Sequence, residues 1–81
     1  MDKTINNLMQ YIKKKFPQNE IGSILETSDS YIFRLTDKKG KELLDSLYEV
    51  SKKDKKIKPF SVYLNNKKFK EGLKHIIYKQ N

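Results

Sequence analysis

The sequence predicts an α+β fold in the order α-β-β-β-β-α, an antiparallel sheet of about four strands with two helices packed on one face. Three observations predict it. An apolar stripe at helical spacing comes first, alternating apolar runs fill the middle, and a second helical stripe follows. The 81 residues read as a single small domain, 1–81, with a thin core.

The first helix is expected over residues 3–16. Ile5, Leu8, Met9, Ile12 and Phe16 share one face, Asp2 suits the N-cap, and Lys13, Lys14 and Lys15 suit the C-terminal end. Pro17 stops it, because the residue before a proline is driven out of the α region. Glu20 to Thr27 is a mixed extended run with Gly22 as a bulge candidate. After a turn at Ser28-Asp29-Ser30, Ser30 to Thr36 alternates, with Tyr31, Phe33 and Leu35 on one face and Ile32 and Arg34 on the other. The two runs form an antiparallel hairpin. If the helices share one face, Ile32 and Ile24 are left on an open side.

Residues 41–50 fit two states. Leu43, Leu44 and Leu47 are spaced helically, whereas Tyr48 and Val50 alternate; the turn-like Ser51–Lys56 stretch that follows favours a strand. Residues 46–63 then form a second hairpin, whose outer strand runs from Ile57 to Leu64 with Phe60, Val62 and Leu64 alternating. Pro59 lacks an N–H, which puts that strand at an edge or turns the Pro59 nitrogen to solvent. A second helix is expected over 66–79, capped by Asn65 or Asn66, with Phe69, Leu73, Ile76 and Ile77 as its buried stripe and Gly72 permitting close packing.

Composition bounds the function. There is no cysteine, which excludes disulfides and thiolate metal sites and makes a cytoplasmic location the expectation. Met1-Asp2-Lys3-Thr4 is not followed by the apolar region of a signal peptide, and no run approaches the ~20 apolar residues that span a membrane. Nine aromatic residues supply apolar area that a disordered chain of this charge lacks.

The stretch Thr27-Ser28-Asp29-Ser30-Tyr31-Ile32-Phe33-Arg34-Leu35, followed by Leu44 through Phe60 (LDSLYEVSKKDKKIKPF), is similar to small bacterial domains. Those domains carry a Tyr-x-Phe-x-Leu strand and then a Tyr-x-Val-x-Lys-Lys-x-x-Gly-x-Val hairpin. Some of them resemble YrhB-like immunity proteins, which neutralise toxins by direct binding. The resemblance covers residues 27–60 and implies an α+β binding domain without catalytic residues. The hairpin turn of this chain, which includes Lys55, has no glycine.

Charge is the strongest functional signal. Residues 1–50 hold eight basic and eight acidic side chains, so the net +8 resides in 51–81, where ten lysines face only Asp54 and Glu71. Such asymmetry points to an acidic partner surface. Arg34 is the only arginine, and arginine is the residue that reads guanine and phosphate in a bidentate fork, so base-specific DNA readout is disfavoured. The candidate partner-binding residues are Lys52, Lys53, Lys55, Lys56 and Lys58 on the second hairpin, and Lys67, Lys70 and Lys74 with Tyr78 on the last helix. An exposed Tyr63 or Tyr78 can also stack on a base. A bland reading stands beside these: a lysine face keeps a thin-cored protein soluble.

No catalytic constellation is visible. His75 is the only histidine, and Glu71 at i−4 makes a surface pair with it. No glycine-rich phosphate loop or nucleophile elbow is present. The expectation is a non-enzymatic module without cofactor, metal or membrane contact, monomeric or weakly dimeric. It binds an acidic protein as an inhibitor or immunity-type protein. The alternative is a non-specific nucleic-acid binder using the same lysines, and a small enzyme around His75 is the weakest reading.

Overall fold

The computed structural model describes residues 3–80, and of 42–45 the backbone alone. Helix α1 (Lys3–Lys15) leads into β1 (Glu20–Glu26), β2 (Ser30–Thr36), β3 (Glu42–Ser51) and β4 (Ile57–Pro59); α2 (Asn66–Leu73) and β5 (Ile76–Lys79) follow. The strands form one sheet in the order β4-β3-β2-β1-β5, with every neighbouring pair antiparallel. The fold is α+β as expected, with a fifth strand where the periodicity predicts the end of a helix.

Helix α1 stops before Pro17, as its sequence dictates; Asp2, its expected cap, lies outside the described residues. Ile12 is fully buried, and Leu8, Met9 and Phe16 join it over Ile24, Phe33, Leu35 and Val50. The Phe16 ring meets Phe33 edge-on, with centroids 6.0 Å apart, and lies 4.9 Å from the Tyr48 ring. The register of β1 against β2 slips between Ile21 and Ser23. That bulge at Gly22 turns both Ile21 and Ile24 toward α1. Gly22 also lies close to its neighbour strand, since a Cβ there would stand 2.8 Å from Thr36 Cγ2.

The helices do not share a face. Leu25, Ile32 and Phe60 form a second cluster with Leu47, Val62 and Phe69, and Phe69 belongs to α2. Along β2, Phe33 and Leu35 point to α1 while Ile32 points to this opposite cluster. A strand that is apolar on both faces needs cover on both. The expected open side with Ile32 and Ile24 exposed is therefore corrected: both are completely buried.

The predicted helix over 66–79 divides in two. The α2 helix ends at Leu73; the Lys74 N–H donates to Glu71 O and the His75 N–H to Gly72 O. Ile76 to Lys79 then pair with β1, flanked by bonds from Glu26 N to His75 O at 2.9 Å and from Gln80 N to Gly22 O at 2.8 Å. β-Branched Ile76 and Ile77 favour extended backbone, and the β1 edge offers the N–H and C=O groups to satisfy it. Gly72 is buried with its Cα against Leu25 and Thr27, which is the close packing expected of it.

Residues 42–51 are a strand, which settles the ambiguous stretch; Leu43 and Leu44 lie where only the backbone is described. β4 is an edge strand, as Pro59 requires, but it ends there. The alternation expected to run to Leu64 is replaced by a turn over 61–65. There the Asn65 N–H donates to Ser61 O, the Leu64 N–H to Ser61 Oγ, and Asn65 Nδ2 to Ser61 O. Serine and asparagine offer the backbone these local partners in competition with a ladder.

Candidate functional site

The lysines of the basic third fall into two groups. Lys52 and Lys68 are tied into the fold. Lys52 follows β3, its Nζ 2.7 Å from Glu26 Oε2 and 5.0 Å from the centre of the Tyr31 ring. The Glu26 carboxylate raises the Lys52 pKa above its ordinary value, against a smaller opposing effect of burial. Lys68 projects from α2 to within 2.9 Å of both Asp29 Oδ1 and Glu49 Oε2. Glu49 is buried, and it also accepts a hydrogen bond from Ser30 Oγ at 3.0 Å and lies 3.5 Å from Lys58 Nζ. Lys68 thus joins α2 to the β1–β2 turn and to β3.

The remaining candidates reach solvent. Lys53, Lys55 and Lys56 are exposed at the β3–β4 turn, and Lys58 is exposed on β4 on the α2 side, beside Glu49. Lys55 adopts φ 63°, the left-handed conformation that favours glycine. Its carbonyl accepts a 2.6 Å hydrogen bond from Tyr11 Oη, so α1 clasps the hairpin tip. Lys67, Lys70 and Lys74 are exposed on the solvent side of α2. The structure therefore brings Lys58, Lys67, Lys70 and Lys74 to the α2 side and leaves Lys53, Lys55 and Lys56 at one end of the sheet.

Tyr78 is a correction. It lies in β5 and packs on the α1-side cluster, on the other face from the lysines of α2, because the helix that would have carried it ends at Leu73. The Glu71–His75 helical pair is also absent. His75 lies past the helix end, and Glu71 Oε1 instead accepts the Ser28 N–H at 2.9 Å.

Two features lie outside the expected residues. Lys68 is one; on a helical wheel it stands about 40° from Gly72, on the packed side of α2, whereas Lys67, Lys70 and Lys74 cluster opposite. That offset is the available signal. The other is Leu64, 77% exposed on the turn before α2, beside the stacking candidate Tyr63, which is 91% exposed. Leu64 shares a cleft with Asn66, Lys67 and Lys68. An interrupted alternation around two hydrogen-bonding asparagines is its sequence trace.

Among the described residues, no helix is long and apolar enough to cross a membrane. The chain matches no family model, no curated protein and no solved structure.

Proposed function

We propose that this chain works by binding, and that its partner is a protein with an acidic surface that docks on the α2 side. The observation that carries this reading is the Ser61–Asn65 turn. It holds Tyr63 and Leu64 out to solvent at the foot of a helix whose outer side is lysine. Charge alone steers encounter, while affinity rests on a few large side chains that lose water in the complex. An aromatic and a leucine on a hydrogen-bonded turn meet that need with little entropy left to lose. Lys58, Lys67, Lys70 and Lys74 supply the field around them. An inhibitor or immunity-type role is the form of this reading that the resemblance over residues 27–60 implies.

Nucleic acid is the second reading, favoured by the exposed Tyr63 ring beside lysines, an arrangement suited to stacking a single-stranded base. Two measurements separate them. Labelled single- and double-stranded DNA and RNA are titrated with the protein at ~50 and ~200 mM salt, where phosphate-driven binding falls by orders of magnitude. In parallel, proteins captured by the wild-type chain are compared with those captured by Tyr63→Ala, Leu64→Ala and Lys70→Glu/Lys74→Glu variants. The protein reading expects a captured partner that Leu64→Ala weakens at least tenfold. Salt-sensitive nucleic-acid binding that ignores Leu64→Ala and falls with Tyr63→Ala would replace it.

A further inference from the structure

Helix α2 covers only part of its side of the sheet. Gly72 sits over Leu25 and Thr27, and Lys68 reaches Asp29, so the helix lies toward the β1–β2 turn. The rest of that side is a groove running beside α2. It is made of two cavities of about 140 and 470 Å³ that meet at Arg34 and Leu47. One end is bordered by Leu73 and Ile76, 48% and 49% exposed, and the other by Phe60 and Val62. The walls come from every strand of the sheet. Strands ~4.8 Å apart give a length of roughly 19 Å, which is the rise of about 13 helical residues.

The floor of the groove is apolar, and among the described residues no carboxylate lines either cavity, whereas Lys79 does. Lys70 follows Leu73 around α2 by about 60°, so its exposed ammonium borders the open side of the groove. We infer that the groove receives an acidic amphipathic helix of a partner protein, laid alongside α2, with its apolar stripe on Leu47, Leu73 and Ile76 and its carboxylates toward Lys70 and Lys79. Helix-in-groove recognition needs an apolar slot for i, i+3, i+4 and i+7 anchors and complementary charge at the rim. A second copy of this chain is a poor occupant, since each copy carries +8 and the exposed end of α1 is itself lysine-rich. This inference rests on the acidic-partner reading and names the segment that would dock.

The test is a selection from a display library of random 14-residue peptides on the immobilised, folded protein. Enriched peptides are synthesised, labelled and titrated by anisotropy. The expected result is enrichment of Asp and Glu between apolar residues at i, i+3, i+4 and i+7, with affinity falling at least tenfold on Leu73→Glu. Lys79→Glu, an exposed substitution, is the second variant should Leu73→Glu disturb α2, and it is expected to cost at least threefold. Lys53→Glu at the far turn is expected to change affinity less than twofold at ~150 mM salt. Acidic peptides without that periodicity, sensitive to Lys70→Glu but not to Leu73→Glu or Lys79→Glu, overturn the groove and leave the acidic-partner reading standing. Enriched peptides with no acidic bias overturn both.

Discussion

Glu49 Oε2 lies 2.9 Å from the Lys68 ammonium, and the pair joins a buried strand position to a helix on the surface. Removing one member of such a pair costs more than the pair contributes, because the other charge remains desolvated. Lys68→Met is expected to lower unfolding free energy by about 2 kcal/mol, partly offset by the remaining contacts of Glu49 with Ser30 and Lys58. Adding Glu49→Gln should recover at least half of the loss. Urea denaturation of the two single variants and the double variant reads the coupling directly. Equal losses for Lys68→Met with and without Glu49→Gln would show that the two side chains do not interact energetically.

The same pair sets an acid limit. Burial pushes the Glu49 carboxyl up, but hydrogen bonds from Lys68 and Ser30 and the charges of Lys68 and Lys58 outweigh it, leaving the pKa below its ordinary 4.5. The hydrogen bond from Lys68 likewise holds Asp29 below its ordinary 3.8, against a smaller effect of burial. Groups depressed in the folded state stabilise it above their unfolded pKa, and that stabilisation is lost as pH falls through the folded values. Stability should therefore be level near pH 6, decline once pH drops below about 4.5, and decline less steeply in Lys68→Met. Thermal midpoints measured from pH 7 to pH 2.5 check this.

Lys55 is exposed and holds a left-handed backbone at φ 63°. Lys55→Gly removes the Cβ penalty, at some cost in unfolded-state entropy, and keeps the carbonyl that Tyr11 binds. The expected gain is about 0.5–1 kcal/mol, or roughly 4 °C in Tm for a chain this size. Lys55→Val should lower Tm instead, as a β-branched residue tolerates this region least.

Gly72 lies in α2, where alanine would ordinarily gain about 1 kcal/mol of helix propensity. A Cβ there would stand 3.1 Å from Leu25 Cβ, an atom fixed to the backbone of a strand paired on both sides. Gly72→Ala is expected to be net destabilising by about 1 kcal/mol, because helix and sheet must separate. Guanidinium melts decide the sign.

Much of the fold is legible in local pattern. Pro17 ends α1, Tyr31-x-Phe33-x-Leu35 marks a strand, and Pro59 marks an edge, since each acts through the backbone of its own neighbourhood. Pairings between distant residues are not legible that way. Phe69, Leu73, Ile76 and Ile77 satisfy a helical stripe and equally a helix followed by a strand; the free edge of β1 decides between them. Ile32 reads as an exposed exception on an alternating strand until Leu25 and Phe60 are placed beside it. In the candidate site, the outward lysines of α2 follow from the helical wheel, whereas the role of Lys68 depends on Asp29 and Glu49, charges that look like surface residues in isolation.

Strand β1 is made early in the chain, but one of its edges is closed by Ile76 to Lys79. A ribosome delivering this protein therefore exposes an unpaired β edge from the moment the first hairpin forms until α2 and the residues after it have emerged. Over that interval the nascent chain can pair with any extended strand nearby. Residues 1–50 are electrically balanced, so repulsion between neighbouring copies sets in only as the lysines of 51–81 emerge.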